Sequence, residues 1–176
     1  VLDLQFEVVT THLNDGGRPV RRSVESNAHA YLGAPYGIYK TSDGWLALAM
    51  GSVPRLGELL ACPGLAEFVD PASWFERRDE IKAILRDHLV RKPVAHWLAI
   101  LEPADIWCAQ VLDYASLRAS EAYRSLDMEQ TVSCPGGSPL ETLRCPIRID
   151  GNMLKSSRGA PAIGQHNEAI TREFNL

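Results

Sequence analysis

The sequence predicts an α/β fold, with a small α+β domain in which a β-hairpin sheet is covered by helices. Three observations predict it. Two apolar runs, residues 36–40 and 45–50, flank Thr41-Ser42-Asp43-Gly44. Asp-Gly between apolar runs is a hairpin signal, because glycine accepts the positive φ of a tight turn. Behind the hairpin, two apolar stripes recur at helical spacing: Ile81, Ile84, Leu85 and Leu89, then Val94, Trp97, Leu98 and Leu101. Two such helices need a surface to cover, and the hairpin is the nearest one. Further strand-like runs follow at residues 106–112 and 128–134.

Taken in order, the chain opens on Leu2, Phe6, Val9 and Leu13 at helical spacing, ending at Asn14-Asp15-Gly16-Gly17. No capping signal precedes this helix, so the chain is expected to be a fragment. Residues 18–34 form a polar linker with Pro19 and the Arg21-Arg22 pair. In the hairpin, Tyr36 and Ile38 share one face and Gly37 and Tyr39 the other. The second run is apolar on both faces, which predicts a strand with both sides covered. Ser52 reads as a helix cap with Pro54 in the first turn, and Leu56, Leu59 and Leu60 form its stripe. Cys62-Pro63-Gly64 ends that helix. Ser73-Trp74-Phe75-Glu76 matches a capping box for the next, which places Glu80, Lys82, Arg86 and Asp87 mostly outside. Pro93 closes it and opens another. Asp113 is a cap for a short helix to about Tyr123. Pro135-Gly136-Gly137-Ser138-Pro139 is a turn. Leu143, Cys145, Ile147 and Ile149 alternate with polar residues and Pro146, as in a half-buried edge strand. Asp150-Gly151 ends it. Residues 155–164 are irregular, and a short helix runs from about Gln165 to Phe174.

The whole chain narrows the function classes. It has 176 residues, enough for one domain with a sizeable core. Net charge is −4, which argues against a general nucleic-acid surface but allows a small anion held by a few arginines. No run of about 18 apolar residues predicts a membrane span, and nothing resembles a signal peptide. The four cysteines, Cys62, Cys108, Cys134 and Cys145, lack CxxC spacing and read as reduced, packed thiols. A cytoplasmic protein is the expectation.

Motifs for zinc proteases, P-loops, dinucleotide folds and nucleophile elbows do not occur. Cys108, beside Trp107 in a predicted buried strand, reads as a core thiol rather than a nucleophile. His88 and His96 are eight residues apart, too far for an i, i+4 metal pair, and read as solvated helix positions; no metal is expected. Arg18, Arg21 and Arg22 are either a solvated linker or phosphate ligands. His29 and Tyr31, close to Gly33, line a pocket or belong to a packed linker. Ser156-Ser157-Arg158-Gly159 is an exposed loop or an anion-binding turn.

Four stretches in order then become specific. Residues 35–49 resemble the "PYG-x-Y-x-T-x-DG-(aromatic)-x-A-(L/I)-A" hairpin of the family III CoA-transferases, also called CaiB/BaiF. Arg78-Asp79-Glu80 is similar to a helical Arg-Asp-Glu of the family. Residues 105–111 resemble its "G-(I/V)-P-C-(G/A)-P-V" strand. Residues 144–151 and 160–166 resemble its closing "SP-(V/I)-(R/K)-x-(S/D)-G … P-x-(L/I)-G-(E/Q)-H". Trp107 and Gln110 depart from it where proline is usual, and Cys145 where Ser or Asn is common.

The resemblance implies a Rossmann-like large domain and a smaller α/β domain in an interlocked homodimer. This chain would hold the C-terminal portion: the end of a large-domain helix (1–17), a linker (18–34), the small domain (35–104), and a segment returning to the large domain (105–176). The substrates implied are an acyl-CoA and a carboxylic acid, with coenzyme A as a substrate thioester and no permanently bound cofactor. The implied chemistry passes through an aspartyl-CoA thioester. The nucleophilic aspartate falls upstream of Val1, so no catalytic residue is expected in this chain, and Asp3 is not that residue. The loop matching the family's site-covering loop is His29 to Gly37, so His29, Tyr31, Gly33 and Gly37 are the pocket candidates. Two alternatives stay open: a 2-methylacyl-CoA racemase of the same fold, and a non-catalytic small domain that binds a partner chain.

Overall fold

The structure is a computed structural model that describes residues 6–19, 21–25 and 29–176. It contains two compact units, residues 1–112 and 113–176.

In the first unit, α1 (Phe6–Asn14) ends before the Gly16-Gly17 pair. Leu2 lies outside the described residues; Val9 and Leu13 of the same stripe are exposed. The hairpin forms as expected, with β1 (Gly37–Lys40) antiparallel to β2 (Trp45–Leu48) and Lys40 opposite Trp45. β3 (Cys108–Gln110) adds to the far side of β2, which is therefore the central strand. β3 thus belongs to the hairpin's sheet, and the first unit runs on to Leu112.

The hairpin turn is built differently from its Asp-Gly signal. Gly44 is not at positive φ. Four residues bridge the strands, with the Thr41 amide donating to the Gly44 carbonyl (2.9 Å) and the Gly44 amide to Thr41 Oγ1 (3.0 Å). A Cβ on Gly44 would lie 3.4 Å from Val94 Cγ2, an ordinary van der Waals contact. Asp43 Oδ1 accepts from the Val94 amide (2.9 Å) at the start of α5 (Val94–Leu101). A carboxylate at a helix N-terminus satisfies an orphan amide and complements the helix dipole.

One face of the sheet is covered. Tyr39, Leu46 and Leu48 are buried against α2 (Val53–Leu59), α4 (Arg78–Leu89) and α5 through Val53, Leu56, Ile81, Leu85, Leu89, Trp97 and Leu101. Fully burying each such side chain is worth roughly 1.5–3 kcal/mol. Ile38 and Trp45, on the opposite face, stay exposed, so β2 is covered on one side rather than two. Ser52 caps α2 as expected, its Oγ accepting from the Arg55 amide. Ser73 does not form a capping box. It lies inside a one-turn helix, α3 (Ser73–Glu76), and its hydroxyl donates to the Asp70 carbonyl (2.6 Å).

In the second unit, Asp113 caps α6 (Tyr114–Ala119) by accepting from the Ser116 amide. Ser120 breaks the helix in extended backbone and caps α7 (Glu121–Ser125). β4 (Glu129–Val132) pairs antiparallel with β5 (Leu140–Leu143) across the Pro-Gly-Gly turn. The alternating run from Leu143 to Ile149 is not one strand. It divides into the end of β5 and β6 (Arg148–Ile149), which turns through Asp150-Gly151, both at positive φ, into β7 (Asn152–Met153). Leu143, Ile147 and Ile149 are exposed, whereas Arg144 is buried at the break and donates to the carbonyls of Leu126, Asp127 and Cys145. Cys145 is an exposed thiol rather than a packed one. α8 (Asn167–Phe174) closes the chain. No helix among the described residues is long and apolar enough to cross a membrane.

Candidate functional site

The linker is fastened to one stripe of α4. Arg78, Lys82 and Arg86 recur every four residues, with Asp79 beside them. The Arg78 guanidinium donates to the Ala30 carbonyl (3.2 Å) and to the Arg21 carbonyl, and its carbon lies 4.4 Å over the Phe75 ring. Asp79 accepts from the Ser23 hydroxyl and from the Val24 amide (2.9 Å). Those two donors, with the Arg78 and Lys82 charges, hold its carboxyl below the usual carboxylate range. Arg86 pairs with Glu25. Lys82, expected outside, is fully buried, and its Nζ has no hydrogen-bond partner among the described residues. Burial, then the Arg78 charge, pushes its amine below the usual 10.5.

The pocket loop is pinned at its other end by α3. The Ala34 amide donates to the Trp74 carbonyl (2.7 Å), and a Cβ on Gly33 would sit 2.8 Å from that oxygen. Gly33 is therefore required by close backbone approach. Between the two anchorages the loop turns, the Leu32 amide donating to the His29 carbonyl (3.3 Å). The Tyr31 amide donates to His29 Nδ1 (3.3 Å), and the two rings lie 6.1 Å apart. The Tyr31 hydroxyl is shielded and has no hydrogen-bond partner among the described residues.

A cavity of about 730 Å³ opens beside this loop. Arg18, Arg21, Arg22 and Arg78 border it, with Tyr31 and Phe75 as aromatic walls and Asp15, Glu76 and Asp79 as its carboxylates. The linker arginines thus meet the pocket loop at one place. Gly37 does not join them. It lies in β1 at a separate, more apolar cavity of about 390 Å³ with Ile38, Ala47, Trp107 and Cys108. Of the four pocket candidates, His29 and Tyr31 are adjacent, Gly33 shapes their loop, and Gly37 is elsewhere.

The remaining candidates resolve individually. β3 is half-buried at Cys108 and exposed at Ala109 and Gln110, and Trp107 before it is 72% exposed, so it is not a buried strand. Burial and then the Glu102 charge push the Cys108 thiol up, the opposite of what a nucleophile needs. His88 is not solvated: its Nε2 lies 2.9 Å from the Leu60 carbonyl, and its ring packs 5.4 Å from Trp97. No group of three His, Cys, Asp or Glu converges among the described residues. In the 156–159 loop three of the four backbone amides are occupied. Ser156 donates to Gln130 Oε1, Arg158 to Ser156 Oγ and Gly159 to the Ser133 carbonyl. That arrangement extends the edge of β4 and leaves these three amides unavailable to an anion.

The site's described groups can position an anion and an aromatic ring. Sequence reasoning missed the anchoring role of Arg78 and Asp79 and the burial of Lys82. Spacing placed all three on one helix, but nothing local revealed that the linker lies over that stripe.

Comparison with known proteins agrees with this fold. The chain is 27% identical over 158 residues to the acetyl-CoA:oxalate CoA-transferase of Acetobacter aceti, covering 84% of this chain and 38% of the relative. It is 22% identical over 160 residues to the succinyl-CoA:glutarate CoA-transferase of Mus musculus, covering 83% and 35%. A CAIB/BAIF family protein from Brucella suis superposes with a TM-score of 0.65 at 24% identity, over 97% of this chain and 44% of that one. The chain therefore spans less than half the length of the relatives it matches. The sequence profile described as CoA-transferase family III matches residues 1–167, and the chain belongs to that family.

Proposed function

We propose that this chain is the C-terminal portion of an enzyme that moves coenzyme A between small carboxylic acids through an aspartyl-CoA intermediate. The observation that carries the reading is the continuity of the family match across residues 1–167. The relatives named above are CoA-transferases, which favours transfer over racemisation and over a binding-only domain.

In this mechanism an aspartate upstream of Val1 attacks the thioester carbonyl, forming a mixed anhydride and releasing CoA thiolate. The thiolate attacks the aspartyl carbonyl, giving an aspartyl-CoA thioester and freeing the first acid. The second carboxylate then attacks that thioester, and the returning thiolate takes its acyl group and restores the aspartate. Dividing one hard exchange into four acyl transfers is the gain from a covalent nucleophile. This chain's share is positioning: the clasped loop at His29–Gly33 covers the reacting groups and excludes water. The whole enzyme is an interlocked homodimer of soluble, cytoplasmic chains with no resident cofactor.

The test is exchange of isotope-labelled acid into acyl-CoA. The 176-residue chain alone is expected to give none, and a chain extended upstream to its relatives' length is expected to give exchange that hydroxylamine intercepts. Exchange by the short chain would overturn the reading.

A further inference from the structure

The linker crosses α4 over a short stretch, residues 21–25, whose contacts with the helix are polar. The Arg21 carbonyl accepts from Arg78, the Ser23 hydroxyl and the Val24 amide donate to Asp79, and Glu25 pairs with Arg86. Apolar burial adds little: Ser23 alone of the five is buried, and Val24 is 84% exposed. A segment with few buried apolar contacts opens locally at a much lower cost than the whole domain. Lys82 lies on the same stripe, one helical turn from both Arg78 and Arg86, and is fully buried. Its Nζ meets no hydrogen-bond partner among the described residues. Lys82 is faced by Arg78 and Asp79 on α4 and by Glu25 on the linker. Asp79 is committed to Ser23 and Val24, and Glu25 to Arg86, so neither carboxylate neutralises the amine by direct contact. Of the elements packed on α4, β1 brings Tyr39, whose phenol burial and then Glu25 push up, with Lys40 on its exposed face. α3 brings Glu76, and residues 63–65 bring no titratable group. Burial, then the Arg78 charge, holds the Lys82 amine below the usual 10.5, with Asp79 and Glu25 opposing.

We propose that residues 21–25 are a strap that opens from α4 while the core stays folded, with the buried Lys82 ammonium favouring the open state and loss of its proton favouring the closed one. An unpartnered ammonium loses its hydration when it is buried, and an opened strap returns it by letting water reach the amine. A neutral amine carries a far smaller penalty. The open strap leaves the amine at its ordinary value and the closed strap lowers it. Between the two values the open form binds more protons, so closing strengthens as pH rises through that window. The cavity of about 730 Å³ depends on the strap, since Arg21, Arg22 and Val24 border it together with Phe75 and Arg78. Opening the strap removes that part of its wall. The inference goes beyond the CoA-transfer reading and does not rest on it.

Limited proteolysis of the chain by an arginine-specific protease tests it, with cleavage after Arg21 and Arg22 followed by product mass. Each rate is divided by that of Lys82→Met at the same pH, which cancels the protease's own pH dependence. At pH 7.5 the parent is expected to be cut about fivefold faster than the variant, and the ratio is expected to fall toward one as pH rises to 9.5. Urea below the onset of global unfolding should leave the parent's rate unchanged, because opening so short a segment exposes little surface. Lys82→Gln, neutral but polar, takes the place of Lys82→Met if that variant loses its cooperative melting transition, and the same ratio is expected of it. Equal cleavage of parent and neutral variant at pH 7.5, or a ratio that does not fall with pH, would overturn the proposal. So would acceleration by urea, which would mean that cleavage follows global unfolding. The readout is cleavage without turnover, so this test and the exchange assay fail independently.

Discussion

Lys82 has the least expected environment of any described residue. A polar residue on an amphipathic helix is normally solvated, yet this one is fully buried, and its amine meets no hydrogen-bond partner among the described residues. Its amine titrates below the usual 10.5 because burial disfavours the charged form. Between the lowered folded value and 10.5 the unfolded chain binds more protons, so stability should rise as pH increases through that window. Lys82→Met should raise stability at neutral pH by on the order of 1 kcal/mol and abolish that alkaline rise. Chemical denaturation at pH 7 and pH 9.5 reads both effects. Asp79 behaves in the opposite sense. Its carboxyl is held low by Ser23 and Val24, so its contribution is present above the unfolded pKa and lost as pH falls through the folded one. Asp79→Ala should cost about 1–2 kcal/mol and make Arg21 and Arg22 faster trypsin sites, since the linker loses one of its fastenings. An unchanged cleavage rate would show that Asp79 does not hold the linker.

At the scale of elements, the hairpin and its covering helices were legible because their apolar periods match their geometry. Ile81, Leu85, Leu89, Val94, Trp97 and Leu101 all reach the core that spacing assigned them. What failed depended on distant partners. Leu143 to Ile149 has a perfect period of two, yet Arg144 breaks it by turning inward to three carbonyls, and the apolar members stay exposed. The Asp-Gly turn was placed correctly for an incomplete reason. Asp43 joins the hairpin to α5 through the Val94 amide, a contact across 51 positions that local turn chemistry does not contain. Asp43→Ala should therefore cost about 1–2 kcal/mol, more than a turn substitution that loses no hydrogen bond, with a lower melting temperature as the readout. Gly33→Ala should cost about 1–3 kcal/mol through its clash with the Trp74 carbonyl. In the candidate site, His29 and Tyr31 were identifiable as neighbours of a glycine. Their meeting with Arg21, Arg22 and Phe75 follows from how the linker lies on α4, which no single stretch encodes.

For the whole molecule, the two units are unequal in core. The first buries a connected apolar cluster, whereas Val132 and Arg144 are the buried residues of 113–176. A chain ending at Leu112 should keep a cooperative thermal transition, and residues 113–176 alone should show none by calorimetry; a sharp transition in the latter would contradict the burial argument. That second unit leaves Leu140, Leu143, Ile147, Ile149 and Phe174 exposed. The proposed reading gives this chain a positioning role and sets the nucleophile upstream of it. The most direct measurement is acyl-CoA/acid exchange by the 176-residue chain and by the same chain extended upstream to its relatives' length. No exchange is expected from the first, and exchange through a hydroxylamine-sensitive enzyme thioester from the second; exchange by the 176-residue chain alone would overturn the proposed reading.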